Sequence, residues 1–263
     1  LGSRKLLGVE MSVRLYAMTC GWLTMPLHMF LDGEEGEIRL PVPAYLIDHP
    51  KGQVLFDSGL HTDIQDPVTK RAQTITKYFS PEFKAGEELG ARLERCEVDV
   101  EKVRYLVNSH LHFDHAGGNF QVKNAQLVVQ KREWLAGHDP DLMKSNGFAL
   151  EDYDHGHDLN LVDGKHDLFG DDSVVCIPTY GHTPGHQSLK VRLGSGDVLL
   201  AGDACYLRQT LEKLHLPKVV HDKAEMLESL RRIQTLQTAG ARIFYGHDAD
   251  FWQTVPQAPA EVT

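Results

Sequence analysis

Cysteine is scarce in this 263-residue chain: Cys20, Cys96, Cys176 and Cys205 are the four, widely scattered, with no C-x-x-C pair. That spacing argues against a disulfide framework and suits reduced thiols in a cytoplasm. Long apolar runs are missing as well. No stretch reaches the about 18 consecutive apolar residues that a membrane helix needs, so no spanning segment is expected. The apolar stretch Leu15 to Phe30 faintly imitates a secretion signal, but it holds Pro26 and His28 and runs into "LDGEEGE" without a small-residue cleavage site. It reads as mature protein. Positive charge is short too: 27 Lys and Arg against 37 Asp and Glu leave a formal net charge of -10. Nucleic acid and anionic membrane both reward basic surfaces, so neither is expected as a partner. Two bound divalent cations would bring the balance to about -6.

Internal repeats, low-complexity tracts and Pro/Gly/Ser linkers are also absent. One domain over residues 1–263 is therefore expected, with the first ten residues, ahead of Met11, set aside as a disordered or cloning-derived lead. What the chain does have is a hydrophobic fraction of 41%, enough for a sizeable core. Short β-rich runs recur: "VRLYAM", "AYLIDH", "QVLFDSG", "VRYLVNS", "QLVVQ", "SVVCIPT", "QSLKVRL" and "DVLLAGD". Gly, Asp or Pro punctuates several of them, as is usual for strands. Leu89, Leu93 and Cys96 fall at helical spacing. So do Met226, Leu230 and Ile233, with Asp222 and Glu225 as a cap pair and Gly240 beyond the end. Strands in runs with helices between them predict two packed sheets covered by helices.

Histidine is plentiful, with 15 residues. The segment "VNSHLHFDHAGGN" puts His110, His112, Asp114 and His115 into six positions directly after a β-rich run. Imidazole and carboxylate are the donors that zinc and its neighbours take in hydrolytic sites. Alternate residues of an extended loop face one way, so His110 and His112 can grip one ion while Asp114 and His115 turn toward another. A catalytic ion needs about three protein ligands and an open position. His182 of "YGHTPGH", Asp203 of "AGDACY" and His247 of "FYGHD" each follow a further strand-like run and supply the rest. Four strands thus end on metal-capable residues, and loops at one sheet edge are where sites are built.

This pattern resembles the metallo-β-lactamase superfamily. Its H-x-H-x-D-H signature stands intact at His110–His115, followed in order by His182, Asp203 and His247. The resemblance implies an αββα sandwich, with two mixed sheets packed face to face and helices outside. It implies two divalent ions, zinc being expected. His110, His112 and His182 would hold one, Asp114, His115 and His247 the other, and Asp203 would bridge them.

Within the superfamily, Tyr206 of "GDACY", Phe113 inside the cluster, "TPGHQSL", "FYGHD" and "RLPVPAYLIDHPKGQVLFDSG" resemble the N-acyl-homoserine lactonases. That implies hydroxide attack on a lactone carbonyl, with Tyr206 contacting the substrate carbonyl, Asp114 carrying a proton to the leaving alkoxide and Phe113 lining the pocket. Met25, in the Met-rich stretch "YAMTCGWLTMPLHMF", is a candidate wall for the acyl tail, although the same residues would also serve as core. A core role is the bland reading of Tyr206 too. The partner expected is therefore a small lactone, on a monomer or homodimer.

Several features resist absorption. Cys205 departs from the family's usual small residue and reads as buried filler, and His186 as a support for the ligands. His155 and His157 repeat the alternate spacing without a following D-H and read as non-ligands. The segment "HTDIQDPVTKRAQTITKYFSPEFKAG" is long for a connection and reads as a lid or interface. A glyoxalase II-like thioester hydrolase is the nearest rival; the tail after His247 lacks the basic residues that glutathione would need. A broader lactonase or phosphotriesterase, a β-lactamase, a diiron oxygen-reducing member and a metal-dependent binding module rank below it.

Overall fold

The computed structural model describes residues 12–31 and 33–263; the reading of the first ten residues lies outside them. Among the described residues, twelve strands form two sheets. They are β1 (Arg14–Pro26), β2 (Glu37–His49), β3 (Gly52–Phe56), β4 (Ser80–Glu82), β5 (Tyr105–Val107), β6 (Gln126–Gln130), β7 (Leu159–Val162), β8 (His166–Asp167), β9 (Val174–Pro178), β10 (Gln187–Leu193), β11 (Gly196–Leu200) and β12 (Arg242–Phe244). The first sheet runs β4-β1-β2-β3-β5-β6-β7 and the second β12-β11-β10-β9-β8. Both are mixed: β3, β5, β6 and β7 run parallel, as do β11 and β12, while the remaining pairs are antiparallel.

The helices are α1 (Lys70–Ile75), α2 (Leu89–Glu94), α3 (Phe113–Ala116), α4 (Lys131–Ala136), α5 (Pro140–Asn146), α6 (Leu150–Tyr153), α7 (Arg208–Lys213), α8 (Lys223–Thr238) and α9 (Ala249–Trp252). Both helices expected from spacing are present, although α2 ends at Glu94 and leaves Cys96 in the turn that follows. Asp222 caps α8 by accepting the Glu225 amide at 2.9 Å, and Met226, Leu230 and Ile233 are its buried face.

Alternation along the strands builds the layers. In β3, Val54 and Phe56 point between the sheets and Leu55 points away; in β11, Val198 and Leu200 point in and Leu199 out. The inner core pairs Val54, Phe56 and Val107 of the first sheet with Leu189, Val191 and Leu200 of the second. Leu89 and Leu93 of α2 cover the first sheet's outer face, and Leu211 of α7 with Leu230 and Ile233 of α8 cover the second. Strands buried on both faces explain the nearly continuous apolar runs "VLF" and "VLL". The result is the αββα sandwich. Among the described residues no helix is long and apolar enough to cross a membrane.

The polar residues collect where strands stop. β3 ends before Asp57, β5 before Asn108–His115, β9 before Thr179–His186, β11 before Asp203 and β12 before His247. Both sheets deliver these turns to one edge of the sandwich.

Candidate metal centre

Two donor groups meet at that edge. His110, His112, His182 and Asp203 form one, and Asp114, His115 and His247 the other, with the donor atoms in each group within 4.8 Å of one another. Every one of these side chains is buried except that of His112, which is half-buried. In the first group the Nε2 atoms of His110 and His182 lie 3.2 Å apart, and both face Nδ1 of His112, at 2.9 and 3.0 Å.

The outward nitrogens are already committed. His112 Nε2–H donates to the Asn146 carbonyl at 2.7 Å. His110 Nδ1–H donates to Ser109 Oγ at 2.9 Å, because that hydroxyl gives its own proton to Asp57 at 2.8 Å. With its Nε2 turned inward, His182 donates from Nδ1 to the Tyr206 hydroxyl at 3.0 Å. Three lone pairs therefore point at one another with no proton between them, a repulsive arrangement that a cation at the centre reverses. A tetrahedral shell with bonds of about 2.0–2.1 Å puts ligand nitrogens roughly 3.3 Å apart, close to the spacing seen.

The second group is arranged similarly. His115 Nδ1–H donates to Asp57 at 2.9 Å and His247 Nδ1–H to the Pro41 carbonyl at 2.7 Å, which turns both Nε2 atoms inward. There Asp203 Oδ1 sits 3.2 Å from His115 and 2.9 Å from His247, and Asp114 Oδ2 lies 3.7 and 3.8 Å from the same two nitrogens. Asp203 Oδ2 faces the other group, 3.3 Å from His182 and 3.7 Å from His110. One carboxylate presents one oxygen to each cluster. His115 Nε2 and Asp203 Oδ1 are buried and, despite their proximity, make no hydrogen bond. The donor set fits two divalent cations.

Electrostatics divides the groups in the same way. Burial, reinforced by the neighbouring imidazoles, holds His110 well below the ordinary histidine value; burial likewise lowers His112, and holds His182 well below. All three are therefore neutral, as ligands must be. Burial opposes a charge on His115 and His247 too, but Asp203 and Asp114 outweigh it, raising His247 and holding His115 well above its usual value. Burial also works against an ionised Asp203, yet His115 and His247 keep it well below the carboxylate range.

Around the cluster, Tyr206 is buried; its ring stacks on His247 with centroids 5.6 Å apart and takes the edge of Phe30 at 4.8 Å. Burial first, then Asp203 and Asp114, hold its hydroxyl well above the usual phenol value, so it stays protonated. Phe113 begins α3 and packs on Phe79 at 5.3 Å. Met25, near the end of β1, is partly buried against the same apolar cluster as Phe30, Phe79, Phe113 and Tyr206. The long segment after His61 thus brings Phe79 to the site's apolar side. His186 accepts the Asp203 amide at Nε2, 3.0 Å, and donates from Nδ1 to Thr179, 2.9 Å, which leaves it no free lone pair for an ion. Cys205 packs in the apolar cluster under α8. His155 and His157 join no donor group among the described residues. Gly246 is demanded by close approach: a Cβ there would lie 2.6 Å from the Gly202 carbonyl oxygen and 3.2 Å from Asp203 Oδ1.

Sequence reasoning missed the supports: Asp57, Ser109, Glu133, Asn146 and the Pro41 carbonyl. Asp57 and Ser109 stood in view as polar residues directly after apolar strands. Asn146 and Pro41 act through backbone carbonyls, for which side-chain identity carries no signal.

An αββα sandwich carrying two histidine clusters around a shared carboxylate is the scaffold of a dinuclear-metal hydrolase. The chain belongs to the metallo-beta-lactamase superfamily, whose family model matches residues 38–247. It is 32% identical to the N-acyl homoserine lactonase AttM of Azorhizobium caulinodans, over 94% of this chain and 97% of that protein. It is 29% identical to the N-acyl homoserine lactonase AiiA of Bacillus thuringiensis subsp. kurstaki, over 81% and 83%. A solved structure of an N-acyl homoserine lactone hydrolase, with N-hexanoyl-L-homoserine bound at its catalytic metal centre, superposes with a TM-score of 0.85. The two share 26% identity over 96% of this chain and 100% of that one.

Proposed function

We propose that this chain is a dinuclear-metal N-acyl homoserine lactonase, opening the lactone ring to give an acyl-homoserine. The observation that carries the reading is Asp203 set between the two clusters with the Tyr206 hydroxyl beside His182. Lactonase relatives aligned over nearly the whole chain support it. His110, His112 and His182 would hold one ion, Asp114, His115 and His247 the other, and Asp203 both. Zinc suits this set of imidazole and carboxylate donors. The ions would supply Lewis acidity and a water acidic enough to attack at neutral pH.

The chain's own groups do the rest. The raised Tyr206 hydroxyl keeps its proton and donates to the carbonyl oxygen as charge develops there. Asp114 is the more exposed carboxylate of the cluster, at 8%, and takes the proton that the attacking water gives up and hands it to the alkoxide released from the ring. Phe113 and Met25, with Phe79 and Phe30, offer the acyl tail an apolar wall. The four unpaired thiols support a reducing, cytoplasmic setting, and the charge of -10 speaks against nucleic acid. The test is proton release by zinc-loaded protein on short- and long-chain N-acyl-homoserine lactones. Fast release abolished by a chelator is expected; metal-replete protein that releases nothing would overturn the assignment.

A further inference from the structure

Glu133 lies in α4, outside both donor groups, and is fully buried. Its two oxygens serve different loops. Oε1 accepts the Leu111 amide at 3.1 Å, and Oε2 accepts the Gly185 amide at 2.7 Å. Leu111 stands between His110 and His112; Gly185 is in the turn that carries His182. No cation lies within ion-pair distance of Glu133 among the described residues, and the adjacent Arg132 is taken by Glu225 through two contacts of 3.0 Å. Burial pushes the Glu133 carboxyl up to about 7. The approach is also very tight: a Cβ on Gly185 would sit 2.3 Å from the Glu133 backbone nitrogen, so only glycine lets this turn rest on α4. A buried carboxylate without a counter-ion is costly for packing alone, and an apolar side chain would serve α4 better.

We propose that Glu133 is a positioning residue, a strap that ties the His110–His112 loop to the His182 turn so that their three imidazole nitrogens converge before an ion arrives. The strap rests on reading those histidines as metal ligands. It touches neither Asp114 nor His115 nor His247. Its loss should therefore weaken one ion and spare the other, which general destabilisation would not do.

The experiment titrates ion-free wild type, Glu133→Gln and Glu133→Asp with zinc against a chromophoric chelator, and records cobalt(II) absorption and the melting temperature of each ion-free protein. Gln can accept only one of the two amides; Asp keeps the charge but cannot span both. Wild type is expected to bind two equivalents tightly. Both variants should keep one tight equivalent and lose about 10–100-fold in affinity for the second, with altered cobalt bands. Their ion-free melting temperatures should move far less than that loss would suggest. Two wild-type-like equivalents in either folded variant would overturn the strap alone, as would equal weakening of both. A wild type that binds no pair of ions would overturn the metal reading, and the strap with it.

Discussion

Asp57 Oδ2 lies 2.9 Å from Nδ1 of His115, both side chains being buried, and Asp57 holds a left-handed backbone with φ 58°. The same carboxylate accepts the Ser109 amide at 2.7 Å and the Ser109 hydroxyl at 2.8 Å. One side chain thereby orients donors in both clusters, His115 directly and His110 through Ser109. A non-glycine residue in this conformation costs on the order of 1–3 kcal/mol. Three hydrogen bonds to a buried carboxylate offset it.

Asp57→Asn separates the backbone from the acceptor, since asparagine tolerates the left-handed region. The amide group cannot accept from all three donors. Zinc affinity should fall about 10–100-fold while the fold survives. Chelator competition checks this, and unchanged affinity would remove Asp57 from the site's support.

His112→Ala removes one of three converging nitrogens and leaves the Asn146 carbonyl without its donor. The expected outcome is loss of the first cluster's ion and of turnover together, read by metal analysis and proton release. Wild-type turnover would show that the donor group has been misassigned.

Tyr206→Phe should retain both ions and lower kcat by about 10²–10³-fold, the usual effect of deleting one donor to a developing oxyanion. KM should change less than kcat. A rate equal to wild type would leave the hydroxyl with a merely structural contact to His182.

Phe79→Ala opens the wall beside Phe113. KM should rise more for a long acyl chain than for a short one, by about tenfold in their ratio, roughly the loss of two buried methylenes. Equal effects on both chains would place the tail elsewhere.

Asp152 supplies a pH signature away from the donor groups. Burial raises its carboxyl to about 6 against the pull of its ion-pair partner Arg71. Between about pH 4 and 6 the folded chain keeps a proton that the unfolded chain gives up. Its contribution to stability is therefore full below about pH 4 and lost as pH rises through 6, by at most about 3 kcal/mol. Urea unfolding of ion-free protein from pH 4 to 7 should show a shallower decline for Asp152→Asn than for wild type. Identical slopes would refute the assignment.

Much of this molecule could be read from its residues in order. Strands β3 and β11 announced themselves through the apolar runs that start at Val54 and Val198, and α8 through its face and its Asp222 cap. The donors were legible because metal chemistry admits few residue types and H-x-H-x-D-H leaves little room for accident. The supports were not. Glu133 looks like any glutamate on a short helix, and only the approach of two distant loops makes it a shared acceptor. Phe79 lies in a segment with little periodicity, and its meeting with Phe113 depends on how that segment folds back.

The sequence by itself determined the layers and the list of donors, because strand alternation and ligand chemistry are local properties of residue type. Only the tertiary structure decided that Asp203 offers one oxygen to each cluster, that Asp57 and Glu133 orient histidines they do not adjoin, and that His186 supports through the Asp203 amide and Thr179. Those roles depend on distances of about 3 Å between residues far apart along the chain, and such distances exist only once two sheets have packed and brought their strand ends to one edge.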